Sequence, residues 1–445
     1  MMSNRIDANT GRGPSRRDFM RATGGAMAAA ATARLLASRA VYAAESDVLR
    51  VGLSGCGGRG TGAARQALLA DPNTKLVAMG DAFMDRLEAS LNSLKASDVG
   101  PRVEVDNDHK FAGFDAYKHV VDSCDVLVMA EPPGFRPMYL KYAVEQGKHC
   151  FVEKPVAVDP VGVKSVLATC ELAKEKGLSI VSGLCYRYEL AKQETIKRIH
   201  DGAVGEIIAL QTSYNTGEVW HRGENPEWTP MEYQVRNWYY FDWLSGDFIC
   251  EQHVHSLDKI AWAMGDEYPV KCSASGGRAV RTEPKYGNIY DHFNSVFEYA
   301  NGVKLFSSCR QWKNADGDVS DHVYGSKGVA HLMQHRIDNR DGTSWQYEPT
   351  TGDNMYQNEH NALFAAIRKG EPINNGEYMS KSTMMAILAR MSAYTGKDLT
   401  WEKAMECPLD LSPAKYEWGP NEVQPLARPG ETKLPEPPKP EELKA

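Results

Sequence analysis

Glu251, His253, His255 and Asp258 crowd into the stretch CEQHVHSLD, and Lys154 stands well before them in VEKPVA. Two chemistries suit such a set. Histidines and carboxylates can ligate a metal; alternatively, a carboxylate, an imidazole and an ammonium can handle the proton of a hydroxyl group. Periodicity separates them. Phe248, Val254, Leu257, Ile260, Ala261 and Met264 recur at helical rather than alternating spacing. On a helix turning by about 100° per residue, His253 and His255 face nearly opposite sides, whereas residues i and i+2 share a face only on a strand. The spacing therefore disfavours a shared metal. It predicts Glu251, His255 and Asp258 on one polar face and leaves His253 as a core or interface histidine. An ordinary polar helix face is the competing reading.

The elements that must position these groups begin with a cofactor signal. Gly55-Cys56-Gly57-Gly58-Arg59-Gly60 matches GxGxxG, follows an apolar strand around Val51 and Leu53, and opens a helix. Asp81 closes the second predicted strand about 20 residues further on. Gly55 allows the tight turn, Gly57 lets a pyrophosphate approach the backbone, and Gly60 lets helix and strand pack closely. Gly58 and Arg59 belong to the same turn and are expected at the cofactor. Asp81 suits ribose hydroxyls and repels a 2′-phosphate, which favours NAD over NADP, although Arg86 lies nearby. A lone lysine is most often a solvated surface charge. Lys154, however, ends a buried parallel strand in Glu153-Lys154-Pro155, and ligands in open α/β sheets bind beyond the carboxyl ends of strands.

Strands alternate with helices across 45–185, which predicts an α/β fold: an N-terminal Rossmann domain with a doubly wound parallel sheet. Across 186–411 the strand-like runs lack crossover helices, and Asn301-Gly302 marks a hairpin. This predicts a C-terminal α+β domain with a mostly antiparallel open sheet. Residues 412–445 are rich in Pro and charge, as an extended arm or a loose tail would be. The first 44 residues carry SRRDFM, with Arg16, Arg17 and Phe19, then an Ala-rich run interrupted by Arg34 and Arg39. That is the layout of a twin-arginine export signal, with a basic-then-apolar membrane anchor as the competing reading. The 445 residues are 42% hydrophobic and 24% charged, ordinary globular usage. A formal net charge of −7 gives no support to nucleic-acid binding. No body segment reaches the roughly 18 apolar residues of a membrane span. Nine cysteines, none in CxxC spacing, suggest buried thiols rather than disulfides or a zinc site.

Taken together, GxGxxG with Asp81, GKHCFVEKPVA and GDFICEQHVHSLDKIAWAMG resemble the Gfo/Idh/MocA family of nicotinamide-dependent sugar and polyol oxidoreductases, from about residue 48 to 400. The resemblance implies that Lys154 contacts the reacting hydroxyl, and Glu153, Lys154 and Pro155 are together expected at the cofactor, near its nicotinamide end. The family's Asp-xxx-His-xx-Asp helix aligns with Glu251, His255 and Asp258, with Glu in place of the first Asp. Its Thr-Pro pair after the fourth strand becomes Glu131-Pro132-Pro133. His255 is then the expected general base, Lys154 the stabiliser of alkoxide charge, and Glu251 the group that orients His255 or supports its charged form. Tyr186 and Arg187 fall at the cofactor–substrate boundary. Arg222, Arg236 and Trp238, from aromatic-rich segments, are candidate sugar contacts; interdomain packing competes for Tyr239, Tyr240 and Trp243. A homo-oligomer, dimer or tetramer, is also implied. Export to the periplasm would remove the protein from a free NAD pool, so the cofactor is expected to be tightly held and recycled. Net oxidoreduction is the preferred activity. The alternatives are an NAD-dependent glycosidase working by transient oxidation and elimination, and a non-catalytic sugar-binding protein.

Overall fold

The computed structural model describes residues 47–349 and 351–436. The expected export signal, 1–44, lies outside the described residues, as does 437–445. Two units divide the chain at Leu49, and the fold belongs to the second, Arg50–Ala445.

Six strands form the first sheet: β1 (Leu49–Ser54), β2 (Thr74–Asp81), β3 (Lys110–Ala112), β4 (Val126–Met129), β5 (His149–Val152) and β6 (Ile180–Ser182). Their order is β3-β2-β1-β4-β5-β6, and the β2–β3, β1–β4, β4–β5 and β5–β6 pairings are parallel. Central strands such as Val126–Met129 are buried throughout, because helices cover both faces and leave no side for polar residues. Strand order reverses between β1 and β4, which opens a crevice at their carboxyl ends.

The second sheet holds nine strands in the order β14-β13-β12-β11-β7-β10-β9-β8-β15. They are β7 (Ile207–Thr216), β8 (Lys271–Gly277), β9 (His292–Glu298), β10 (Lys304–Gln311), β11 (Asp318–Gly325), β12 (Gly328–His331), β13 (Arg336–Asn339), β14 (Ser344–Gln346) and β15 (Leu399–Thr400). Only the central β7–β10 pair is parallel, so the sheet is mostly antiparallel, as the sequence predicts. The Asn301-Gly302 hairpin joins β9 to β10, with Gly302 at φ +85°. One face packs on the helices Val254–Ala263 and Gly376–Thr395. The other is open, and Phe306 on β10 is half exposed there. Gly376–Thr395 is buried along almost its whole length. It also packs on the Rossmann helix Pro160–Glu175, which ties the two sheets together.

The C-terminal segment lies along its own chain as far as it is described. Gly419 O accepts from Met231 N (3.1 Å), Asn421 O from Gln234 Nε2 (2.7 Å), Ala427 O from the Tyr290 hydroxyl (2.9 Å), and Gly430 N donates to Thr395 O (2.8 Å). Residues 412–436 thus form a strap. All nine cysteines are buried and free. Among the described residues no helix is long and apolar enough to cross a membrane.

Candidate functional site

The first half of the site is the crevice between β1 and β4. Gly55 sits at φ +87°, and a Cβ there would lie 2.3 Å from Glu131 N. A Cβ on Gly60 would lie 1.8 Å from Gly55 O, whereas Gly57 and Gly58 face open space. Gly55 and Gly60 therefore serve the turn and the helix closure, and Gly57 and Gly58 leave room for a ligand. The helix Gly58–Ala70 begins here with no side-chain cap, so its first N–H groups point outward. Asp81 fastens the loop to β2: Oδ2 accepts from Cys56 N (2.7 Å) and Oδ1 from Phe83 N (3.0 Å). Burial pushes its carboxyl above the usual range. Asp81, Arg86, Phe114, Glu131 and Tyr139 line the cleft. Glu131 is buried, with both carboxyl oxygens closed to solvent and the Ser54 hydroxyl beside them. Open glycines, free helix N–H groups and an acid at the end of β2 fit a dinucleotide.

Other segments roof this cleft. Val235 and Trp238 line it from the second domain. Trp418, on the strap, packs at 4.3 Å from the ring of Phe114 and 5.3 Å from that of Phe83.

The second half lies at the end of β5. Lys154 follows the buried strand and precedes a cis peptide to Pro155. Its Nζ donates to Glu251 Oε1 (2.9 Å) and to the Glu251 carbonyl. Both side chains keep some solvent contact, 13% and 15% exposed. His255 is half-buried, and its Nδ1 is shut off from solvent without a partner. The ring of Tyr186 meets it edge-on at 5.4 Å. Desolvation, reinforced by the charges of Lys154, Lys259 and Arg59, pushes its pKa well below the usual value. The imidazole is therefore neutral at neutral pH, the state in which it can accept a proton.

The expected single line of Glu251, His255 and Asp258 is not what the structure contains. A π-helical turn, Ile249–His253, precedes the α-helix Val254–Ala263. Its wider i→i+5 turn breaks the spacing that a continuous α-helix would give. Glu251 pairs with Lys154, and no hydrogen bond joins it to His255. Asp258 is buried and held by Arg187 Nη2 (2.8 Å) and the Ser382 hydroxyl (2.8 Å). Arg187 also bonds Asp266 (2.6 Å) and stacks 4.0 Å over Tyr378. With these partners, Arg187 and Asp258 brace the domain instead of facing a substrate. Arg59 pairs with Glu153 and with Glu359 (2.7 Å), so in the described structure its guanidinium and the Glu153 carboxylate clamp the loop helix to the helix Met355–Lys369. Arg236 bonds Glu232 and Asp85 and stacks 3.8 Å over Phe83, on the cofactor side with Trp238. Arg222 is exposed over Trp220. Tyr239, Tyr240 and Trp243 are core residues. His253 is buried against the Ser307 hydroxyl (2.6 Å), and burial takes its pKa down to about 4. It is a core histidine.

Sequence reasoning passed over several participants. Glu359 carries no motif around it. Gln311 on β10 bonds Gln252 (2.8 Å) and the Tyr239 hydroxyl (2.7 Å) beside the Glu251 turn, and nothing local announces that contact. Lys259 and Asp321 form a fully buried ion pair at 2.7 Å beneath Tyr186.

Comparison with known proteins fits this architecture. Residues 49–183 match the oxidoreductase family with an NAD-binding Rossmann fold, and 193–331 match the GFO/IDH/MocA C-terminal domain. An inositol 2-dehydrogenase of Rhizobium meliloti (strain 1021) is 25% identical over 336 residues, covering 73% of this chain and 90% of that protein. A glycosyl hydrolase family 109 protein of Phocaeicola vulgatus is 28% identical over 205 residues, 44% of this chain and 38% of its own length. The aldose-aldose oxidoreductase of Caulobacter crescentus superposes with a TM-score of 0.62 at 18% identity, over 79% of this chain and 99% of that one. The two matched regions together span more than half of the sequence, the first covering the parallel sheet and the second β7 to β12 of the nine-stranded sheet, and on that ground the chain belongs to the Gfo/Idh/MocA family of NAD-binding oxidoreductases.

Proposed function

We propose that the protein oxidises a secondary hydroxyl of a sugar or polyol, or reduces the matching ketone, with NAD held tightly in the cleft. One juxtaposition carries the reading. An ammonium on the Rossmann domain, Lys154, stands near enough to a neutral imidazole on the second domain, His255, for its charge to disfavour the imidazolium. Lys154 has three N–H donors. Two go to Glu251, and the third is left for a substrate oxygen, where the ammonium stabilises developing alkoxide charge. His255 takes the hydroxyl proton at Nε2, since Nδ1 is closed to solvent. Glu251 positions Lys154, and Tyr186 packs the imidazole in place. Bound NAD would supply the hydride acceptor. A relative named inositol 2-dehydrogenase supports a polyol or sugar as substrate. Asp81 in the cleft supports NAD over NADP.

Tight retention finds support in the roof over the cofactor cleft. Trp418→Ala is expected to speed release of bound NAD by about tenfold, an effect on the off-rate. Trapping of released dinucleotide measures it, and an unchanged rate would remove the strap from cofactor retention. Retention suits export, which we propose for residues 1–44 through the twin-arginine machinery to the periplasm. We also propose a dimer or tetramer built on the open face of the nine-stranded sheet, where Phe306 is 50% exposed.

The activity is tested on purified protein with no added cofactor. Denaturation should release NAD, and a panel of polyols and sugars should yield a ketone matched by reduction of bound NAD or of a second substrate. Release of an aglycone from a glycoside with no net redox product would replace this reading with the glycosidase one. Saccharide binding without turnover of any kind would leave a binding protein.

A further inference from the structure

Glu131 follows β4 at the point where the strand order reverses, and it is only 5% exposed. Both carboxyl oxygens are closed to solvent, and the Ser54 hydroxyl is the one protein side chain described within hydrogen-bonding reach of them, which leaves the carboxyl short of partners. Its nearest cation, Arg136, donates instead to two backbone carbonyls, those of Glu131 and Pro155. Several other groups face the carboxyl. Ser54 comes from β1, Tyr139 from the helix Arg136–Glu145 and Cys150 from β5; Asp81 and Arg86 stand with it around the cleft. Tyr139 already donates to Phe114 O (3.3 Å). Leaving a buried polar group unsatisfied is costly, and Glu131 shares the cleft wall with Ser54, Gly55 and Gly57. A dinucleotide laid along the glycine turn brings ribose and phosphate oxygens to that wall. An ionised carboxylate would repel the pyrophosphate, whereas a carboxylic acid would donate to it.

We propose that Glu131 binds the dinucleotide in its protonated form, its carboxyl O–H donating to a ribose or phosphate oxygen, so that binding above neutral pH takes up one proton. The idea rests on the reading of this cleft as an NAD site. Burial already raises the Glu131 carboxyl to about 7, and a bound diphosphate, being anionic, raises it further. The sign follows from linkage. Below the value in the free protein, the acid form is present before and after binding, and affinity is flat. Above it, binding must restore the proton, and affinity falls by about tenfold per pH unit until the value in the complex is reached.

Full-length protein stripped of co-purified dinucleotide is titrated calorimetrically with NAD and with ADP-ribose between about pH 6 and 9, in two buffers of different ionisation enthalpy. Wild type should weaken by about tenfold between pH 7.5 and 8.5 and take up close to one proton. Glu131→Gln, which keeps shape and hydrogen-bonding capacity, should bind with pH-independent affinity and no proton uptake. A Glu131→Gln protein that keeps the wild-type slope and uptake overturns the proposal, as does a wild type with neither. Absence of dinucleotide binding at every pH removes the NAD reading and this proposal together, which distinguishes that failure from binding without a pH slope.

Discussion

Lys154→Met should lower turnover by about 10²–10³-fold, the usual cost of losing one preorganised donor to an oxyanion, while NAD binding changes little. The separation follows from where the side chain sits. The glycine turn, the helix N-terminus and Asp81 make the dinucleotide site, and Lys154 belongs to none of them. Among the described residues its ammonium bonds only Glu251, across the domain boundary. Methionine keeps most of the length and apolar stem and removes three donors and a charge. Glu251 is left without its cation but is 15% exposed, so water can solvate it and the fold should survive. The loss should fall on kcat and kcat/KM alike, because the ammonium is needed most when the oxygen carries negative charge. The measurement pairs steady-state turnover on the substrate found by the panel with a fluorescence titration of NAD. Turnover within threefold of wild type would remove Lys154 from the chemistry. Loss of NAD binding would instead make it a cofactor residue.

How much of this was legible in the sequence depended on whether the signal was local. Buried parallel strands such as Val126–Met129 and the glycine turn write themselves into consecutive residues, and their places came out as expected. β3, only Lys110–Ala112 and half-exposed, carries no apolar run to find. The π turn at Ile249–His253 was hidden because the apolar positions from Phe248 to Met264 fit one continuous α-helix well enough. Partnerships were the least legible. Arg59 meets Glu359 across 300 positions, and Arg187 finds Asp258 across 71. A motif identifies which residues gather at a site, but the choice of partner within it is made by packing between segments far apart in the chain.

The largest effect on stability is expected from Lys259→Met, about 3–5 kcal/mol lost, because it leaves one charge of a buried pair alone. Lys259 and Asp321 are both 0% exposed and 2.7 Å apart. Nζ meets Asp321 Oδ2 off the hydrogen-bond direction, so the contact is mainly electrostatic. The Thr212 hydroxyl donates to the other carboxylate oxygen, and that bond alone cannot replace an ammonium. Asp321→Leu should cost a similar amount by stranding Lys259. The double variant Lys259→Met with Asp321→Leu should recover most of the loss, since two apolar chains need no solvation. Urea unfolding measures all three, and a Lys259→Met protein with the wild-type midpoint would mean that the pair contributes nothing. The double variant also exposes a second role. Lys259 lies 4.0 Å from the ring of Tyr186, which packs edge-on against His255, and its charge is one of three that keep His255 neutral. Without it the imidazolium is less disfavoured and the pKa of His255 rises toward the ordinary value. The base then becomes protonated, and idle, at a higher pH than in wild type. The acid limb of kcat/KM should therefore move to higher pH while desolvation, with Lys154 and Arg59, still holds His255 below its usual range. A folded double variant with an unmoved acid limb would assign the pair to stability alone; a moved limb would mean that the buried ammonium also sets the pH range in which His255 can act as a base.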